Sequence, residues 1–309
     1  MKVEYKNKVI NLPDFLIVGA QKSATTTLYK NLQLNSKIFM PNIKELNFFA
    51  YNHDDKEIKF YKNLDLGPNF MFVTDEDDYF KLFNNNSDDC CGECSINYLN
   101  RYKKTIKKIK KIYGNQYSKL KIIISLRNPI ERSFSHWMMN ARDEIEKYNF
   151  EKAVSQNIDD GVPTQEYRNY IGNSLYSDSV KYFIENFDNV HVLYYDDISN
   201  NLLNEINKIL EFLNLDKISN INNTKYNVSG IPNNKMIYNL VFKNYLFKNT
   251  MKKLIPERIK DYIKNKVRNS MIKDNIDIEI KTKLKQYFLN DIQILSDLLK
   301  KDLVEMWLK

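Results

Sequence analysis

The sequence predicts an α/β domain of three layers, in which a central parallel sheet carries helices on both faces and a helical segment closes the chain. Three short apolar runs indicate buried strands, at residues 15–18, 121–126 and 190–195. Each is followed by a turn or loop and a helical pattern, which is the repeating arrangement of a parallel sheet. Helical patterns near 236–270 and 280–305 complete the C-terminal part.

Length and composition fit one globular domain. The 309 residues are 43% hydrophobic and include only seven glycines and seven prolines, which argues against a disordered chain. We therefore expect a single domain over residues 1–309, with 240–275 the least certain part. The chain has no apolar run of about 20 residues and no apolar N-terminal stretch typical of a signal peptide. A cytoplasmic protein without a transmembrane segment is the expectation.

The first strand leads into a loop with the composition of a phosphate-binding site. Gly19 is followed by Lys22, small residues and three threonines before a helical pattern begins near Leu28. Backbone N–H groups in such a loop, and the positive end of the helix, favour an anion. The loop differs from G-x-x-x-x-G-K-[ST], because Lys22 comes early and Ala24 occupies the place of a second glycine. The alternative is an ordinary strand followed by a threonine-rich helix cap.

A second phosphate site is predicted where the strand at 121–126 ends. Asn128 is a good N-cap, Pro129 suits the first helical position, and the helix then begins. Arg127 therefore lies at the carboxyl end of the strand and Ser135 in the early turns of the helix, where open α/β sheets bind ligands. An arginine and a hydroxyl can hold a phosphate there. The alternative is that Arg127 pairs with a neighbouring carboxylate and Ser135 is a surface hydroxyl.

These motifs together resemble those of the sulfotransferases that use 3′-phosphoadenylyl sulfate (PAPS), in particular the heparan-sulfate and bacterial carbohydrate branch. Residues 13–28 are similar to the family's 5′-phosphosulfate loop, and Arg127 with Ser135 to its 3′-phosphate site. The resemblance implies a P-loop-like fold and a role for Lys22 in stabilising charge on the bridging oxygen and the leaving phosphate. It also implies a set of loop residues that hold the 5′-phosphate, namely Ser23, Ala24, Thr25 and Thr26.

A candidate general base lies between the two motifs. Residues 44–49, Lys-Glu-Leu-Asn-Phe-Phe, resemble a family segment in which the glutamate is the base, and this implies that role for Glu45. An alcohol must lose its proton as it attacks sulfur, and a positioned carboxylate can take that proton. The competing candidates are His53, expected on the surface, and His136, expected to pack beside Trp137. The alternative for Glu45 is a glutamate on an amphipathic segment with no role in chemistry.

One stretch departs from the family pattern. Residues 92–99 resemble Gly-Glu-Lys-[ST]-Pro-x-Tyr, a segment near the acceptor, but Cys94 replaces the lysine and Ile96 the proline. The sequence thus lacks one positive contact to the transferring sulfonate or to an acidic acceptor. Cys90, Cys91 and Cys94 are expected to be reduced thiols, because three cysteines in one short stretch provide neither a disulfide framework nor four zinc ligands.

The implied function is transfer of a sulfonate group from PAPS to a hydroxyl, with a carbohydrate as the expected acceptor and adenosine 3′,5′-bisphosphate as the product. This layout requires no metal ion. The net charge of +8 suits an anionic donor, although solvated helix lysines account for most of it. Nucleic-acid binding is not expected, because the aromatic residues follow core periodicity. Two alternatives stay open, a P-loop nucleotide kinase or triphosphatase and a catalytically inactive binding protein of the same fold.

Overall fold

The computed structural model describes residues 1–63, 72–84, 90–159, 166–221, 230–233, 271–272 and 275–309, and six single positions between 238 and 267. They belong to two compact units. The first unit comprises residues 1–132, 173–224 and 285–309, and the second comprises 133–172 and 225–284. Most of the helical segment predicted near 236–270 lies outside the described residues. The expectation of one domain over 1–309 stays a prediction.

A parallel sheet forms the centre of the first unit. The chain begins with an antiparallel hairpin of β1 and β2 and continues into the sheet strands β3 to β7; the bounds are β1 Lys2–Tyr5, β2 Lys8–Asn11, β3 Phe15–Gly19, β4 Ile38–Phe39, β5 Cys90–Cys94, β6 Lys121–Leu126 and β7 Val190–Tyr194. The sheet order is β4-β5-β3-β6-β7, and every neighbouring pair is parallel. The predicted parallel sheet is therefore confirmed.

The described helices include those that the sequence predicts after β3 and after β6. Their bounds are α1 Thr25–Gln33, α2 Lys56–Asn63, α3 Glu76–Lys81, α4 Asn97–Asn100, α5 Tyr102–Tyr113, α6 Pro129–Arg142, α7 Phe150–Asp159, α8 Ser177–Asn186, α9 Tyr195–Asn200, α10 Leu202–Phe212, α11 Ile278–Leu299 and α12 Leu303–Leu308. The last two confirm the predicted helical C-terminal segment. Among the described residues, no helix is both long and apolar enough to cross a bilayer.

The sheet is buried on both faces, which explains the uninterrupted apolar run of β3. Phe15 and Ile17 contribute to a core with buried residues of α1 and α10 on one face. Leu16 and Val18 point to the opposite face and are equally inaccessible to solvent. Because side chains alternate along a strand, burial of all four residues requires cover on both faces.

The C-terminal helix is tied to the sheet edge at which β6 and β7 end. Asn128 follows β6, and its Oδ1 accepts a hydrogen bond from the N–H of Ile130 at 2.9 Å, as the predicted N-cap requires. Its Nδ2 donates to the carbonyl of Trp307 in α12 at 2.6 Å. The indole of Trp307 donates to Asp196, just beyond β7, at 3.3 Å. These hydrogen bonds hold the chain end beside the residues that follow β6.

The second unit has a small aromatic core of its own. Phe134 of α6 stacks on Trp137 with ring centroids 5.5 Å apart and meets Phe150 of α7 edge-on at 4.9 Å. His136 is buried against Tyr170, with ring centroids 5.0 Å apart. A two-stranded antiparallel pair, β8 Ile231–Pro232 and β9 Met271–Ile272, also belongs to this unit.

Candidate active site

The loop between β3 and α1 has the backbone geometry of an anion site. Lys22 and Ala24 both adopt the left-handed conformation, with φ of 69° and 63°, an arrangement that directs neighbouring backbone N–H groups toward one point. Ala24 is the N-cap of α1 and makes no side-chain capping bond, and the first turn of α1 carries no acidic residue. The positive end of the helix is therefore left for an external anion.

Ser23 supplies a buried hydroxyl to the same loop. Its side chain is fully buried, and its carbonyl accepts a hydrogen bond from the Ser125 hydroxyl of β6 at 2.5 Å. Among the described residues, the Ser23 hydroxyl has no hydrogen-bond partner. Buried polar groups in proteins are almost always paired. An oxygen of a bound phosphate would give this hydroxyl its missing acceptor, so the loop fits the phosphate-bearing donor that its sequence predicts.

Arg127 connects the end of β6 to this loop. Its Nη1 donates to the carbonyl of Lys22 at 3.3 Å, and its guanidinium lies 4.2 Å from the ring centroid of Tyr195. Its Nη2 is also 3.5 Å from the Glu131 carboxylate, so the pairing considered as an alternative is present. The Glu131 side chain is half exposed, and exposed ion pairs of this kind are weak. The structure thus brings Lys22 and Arg127 together within the first unit.

Three further predicted donor-binding residues lie on helices. Thr25 and Thr26 form the first turn of α1, where Thr25 is buried and Thr26 is partly exposed. Ser135 lies on α6 and is also buried. Ser135 belongs to the second unit, and its role in binding the 3′-phosphate stays a prediction.

Glu45 is fixed by contacts with β5 and with the residues that follow it. The Glu45 backbone N–H donates to the Cys94 carbonyl at 3.0 Å, and its Oε2 accepts a hydrogen bond from the N–H of Ile96 at 2.9 Å. Its Oε1 forms an ion pair with the ammonium of Lys44. A carboxylate can accept about four hydrogen bonds, so both oxygens retain capacity for a further donor such as a substrate hydroxyl. This arrangement is compatible with a general base.

Lys44 is the site residue that the sequence did not single out. Its Nζ lies 3.5 Å from the Thr25 hydroxyl in addition to the ion pair with Glu45. Burial lowers the pKa of Lys44, and the negative charge of the neighbouring Glu45 carboxylate opposes that effect. Lys44 is therefore a largely buried lysine whose ammonium is paired with a carboxylate. In the sequence, only its position next to Glu45 indicated that Lys44 could belong to the site. The residue type alone does not distinguish a buried lysine from a solvated one.

The three cysteines are free thiols, two of them buried, on β5. Burial raises the pKa of both Cys90 and Cys94 to about 12. These thiols are protonated at neutral pH and are therefore poor nucleophiles. Among the described residues, no group of three or more histidine, cysteine, aspartate or glutamate side chains could hold a metal ion.

A buried acid network lies behind Glu45. Glu93 of β5 accepts hydrogen bonds from the hydroxyls of Ser95, Tyr79 and Tyr98 at 2.5, 2.6 and 2.8 Å. The Ser95 hydroxyl in turn accepts from the backbone N–H of Asn47 at 2.9 Å. The Asn47 side-chain amide donates to the Glu45 carbonyl at 2.7 Å. Glu93 thus supports the turn that carries the candidate base.

The ionisation of Glu93 should make stability depend on pH. Burial raises its pKa to about 7, although the three hydroxyl donors lower it, and the nearby Glu45 adds to the increase. The folded state then holds a proton that the unfolded state has released between about pH 4.5 and 7. The contribution of Glu93 to stability is therefore complete below pH 4.5 and is lost as pH rises through 7.

Urea unfolding of wild type and Glu93→Gln at pH 5, 6, 7 and 8 tests this expectation. All other titrating groups are shared, so the difference in unfolding free energy isolates Glu93. Wild type should lose stability relative to the variant as pH rises, by at most about 3 kcal/mol. A difference that stays constant, or grows in favour of wild type, contradicts the assignment.

Comparison with known families decides the class of the protein. The profile of the sulfotransferase domain family matches residues 12–271, a range that contains the loop, Glu45, Arg127 and Ser135. The chain belongs to the sulfotransferase family. It is therefore a transferase by family, and of the enzyme classes considered from the sequence, the match supports sulfonate transfer over phosphoryl transfer.

A solved structure shows the same fold for this sulfotransferase. The sulfotransferase from Alicyclobacillus acidocaldarius superposes with a TM-score of 0.70 at 21% identity, covering 97% of this chain and 100% of that one. The sulfotransferase domain from the curacin biosynthetic pathway has a TM-score of 0.43 at 18% identity, covering 67% of this chain and 75% of that one. No curated protein matches the chain in sequence.

Proposed function

We propose that this protein transfers a sulfonate group from PAPS to a hydroxyl group, with a carbohydrate as the acceptor, in the cytoplasm. The observation that carries the proposal is the hydrogen bond from Arg127 to the Lys22 carbonyl. The guanidinium that we expect to hold the 3′-phosphate is in contact with the loop that we expect to hold the 5′-phosphosulfate. In this proposal, a donor with phosphate groups on both its 3′ and 5′ positions binds to Arg127 and to the loop at once.

Each residue has a distinct role in the proposed reaction. The acceptor oxygen attacks sulfur, the bond from sulfur to the bridging oxygen breaks, and adenosine 3′,5′-bisphosphate leaves. Lys22 stabilises the negative charge that develops on the bridging oxygen and the phosphate, and Glu45 takes the proton of the acceptor hydroxyl. Ser23, Ala24, Thr25 and Thr26 hold the 5′-phosphate through side-chain and backbone donors. Most of the catalytic effect then comes from positioning and electrostatic stabilisation.

The carbohydrate acceptor rests on the resemblance of residues 44–49 to the carbohydrate branch. A lipid-linked sugar, a peptide tyrosine or a small alcohol would satisfy the same chemistry at the hydroxyl. Feeding cell extracts with the enzyme and PAPS labelled in its sulfonate, and fractionating the labelled products, separates these acceptors. Label in a carbohydrate fraction supports the proposal, and label confined to peptide or small-alcohol fractions contradicts that part of it.

Donor binding should depend on both parts of the 3′-phosphate site. We expect Arg127→Ala and Ser135→Ala to weaken binding of adenosine 3′,5′-bisphosphate, with the larger effect for Arg127. A charge-assisted hydrogen bond is roughly twice as strong as a neutral one, which sets this order. Isothermal titration measures the affinities, and adenosine 5′-phosphate, which lacks the 3′-phosphate, is the matched control ligand. If both variants bind the bisphosphate as wild type does, the 3′-phosphate site lies elsewhere.

A further inference from the structure

A largely buried ammonium lies between the candidate base and the donor loop. Lys44 pairs with Glu45 and approaches the Thr25 hydroxyl to 3.5 Å, and its side chain is only 15% exposed. The thiol of Cys94, on the neighbouring strand β5, faces the same ammonium. Lys44 therefore contacts the base on one side and the first residue of α1 on the other. It is not a surface lysine with a chance partner.

The position of Lys44 allows its positive charge to reduce a repulsion between anions in the proposed reaction. The donor carries phosphate and sulfonate charges, and Glu45 is a carboxylate that must approach the same reacting centre. Two anions at short distance repel each other strongly where water is excluded, and a cation between them offsets that repulsion. The Glu45 side chain is only 12% exposed, so solvent screening there is limited. The ammonium of Lys44 forms an ion pair with this carboxylate.

The orientation of Glu45 depends on the same contact. Its Oε2 is held by the Ile96 N–H, and its Oε1 by Lys44. Two fixed oxygens define the plane of the carboxylate, and therefore the direction from which an acceptor hydroxyl can donate its proton. With Lys44 removed, one oxygen would lose its donor and the carboxylate could rotate about the remaining bond. For a general base, the position of the carboxylate relative to the hydroxyl matters first, and its proton affinity matters second.

We propose that Lys44 is a positioning residue for sulfonate transfer, which fixes the Glu45 carboxylate and neutralises it beside the anionic donor. This inference rests on the proposed function of the site. It assigns to Lys44 an effect on the transfer step that passes through Glu45. Binding of the adenosine bisphosphate product, which has no sulfonate, does not need this effect.

The kinetic test uses variants at positions 44 and 45. Lys44→Met should lower kcat by roughly 10- to 100-fold, the factor that corresponds to the loss of one hydrogen bond to a charged group. The affinity for adenosine 3′,5′-bisphosphate should change by less than about threefold. Lys44→Arg keeps the charge and should recover most of the rate. In a Glu45→Gln background, Lys44→Met should cost less than about a further threefold, because coupled residues are not additive.

The same kinetic assay includes a control variant, and two of its outcomes would contradict the role of Lys44. Lys37→Met removes an exposed lysine, changes the net charge equally, and should leave rate and affinity unchanged. A wild-type kcat in Lys44→Met overturns the proposal. An equal loss with and without the Glu45 carboxylate also overturns it, because Lys44 would then act independently of Glu45.

A readout without catalysis separates this inference from the proposed function. Thermal unfolding of Lys44→Met, Glu45→Gln and the double variant measures whether the two side chains are coupled. Each single change leaves a largely buried charged group without its ion-pair partner, so the double variant should lose less in Tm than the sum of the single losses. If wild type transfers no sulfonate and the coupling is present, the proposed function fails and the ion pair stands. If transfer is normal and the coupling is absent, only the role of Lys44 fails.

Discussion

Lys22→Ala is expected to lower the rate of sulfonate transfer by about 10²–10³-fold, the typical effect of removing one donor that stabilises charge in a transition state. Lys22 lies in the loop between β3 and α1, with a left-handed backbone and with its carbonyl bound by Arg127. The backbone contacts of the loop survive the substitution, so the affinity for adenosine 3′,5′-bisphosphate should fall much less than the rate. Single-turnover kinetics with saturating PAPS measures the rate, and isothermal titration measures the affinity.

The exposed Lys37, changed to alanine, is the matched control for Lys22. It removes the same charge and the same side-chain length from a place outside the site, and should leave both quantities unchanged. Turnover close to wild type in folded Lys22→Ala protein would remove Lys22 from the mechanism. A parallel loss of rate and affinity would instead make Lys22 a ground-state binding residue.

Glu45→Gln is expected to remove most transfer activity and to leave donor binding intact. The amide keeps the size of the side chain and can still accept from the Ile96 N–H, but it cannot take the proton of the acceptor. Loss of a general base typically costs about 10²–10⁴-fold. The transfer rate under saturating PAPS measures the effect.

His53→Ala and His136→Ala are the comparisons for Glu45→Gln. The structure places His53 on the surface and buries His136 against Tyr170 in the second unit. Both histidine variants should therefore retain substantial activity if they fold. A wild-type rate in Glu45→Gln together with an inactive histidine variant would show that a histidine is the base.

The features that sequence predicted best are those that depend on a few adjacent residues. The apolar runs of β3, β6 and β7 are long enough to identify buried strands, and Asn128 followed by Pro129 specifies where α6 begins. The anion-binding character of the first loop also follows from local composition. Such features are encoded by backbone preferences within one turn or strand.

Strand β5 has no such local signal. Its residues, Cys-Cys-Gly-Glu-Cys, lack the β-branched residues typical of strands, yet it pairs with both β3 and β4. Gly92 is required by packing, since a Cβ at this position would lie 2.0 Å from an atom of the Phe15 ring. A glycine in a strand often marks such a close approach. That contact depends on the register between β5 and β3, which the local sequence of β5 does not encode.

The contacts that assemble the site are also long-range. Arg127 reaches a carbonyl 105 residues earlier, and the ammonium of Lys44 lies beside a threonine 19 residues before it. The acid Glu93 was part of a recognised stretch, but its burial among three hydroxyl groups depends on how α3 and α4 pack against β5. Residue types along the chain identified candidates, whereas their partners depend on tertiary structure.

The central claim, sulfonate transfer from PAPS to a hydroxyl, is tested most directly by following the sulfonate itself. Wild-type protein is incubated with cell extract and PAPS labelled in its sulfonate, in excess metal chelator, and in parallel with Mg²⁺ and ATP labelled in its γ-phosphate. Our account predicts that, relative to extract alone, the protein adds sulfonate label to a carbohydrate product at full rate without metal and adds no phosphate label. Metal-dependent transfer of the phosphate label, with no transfer of sulfonate, would contradict it.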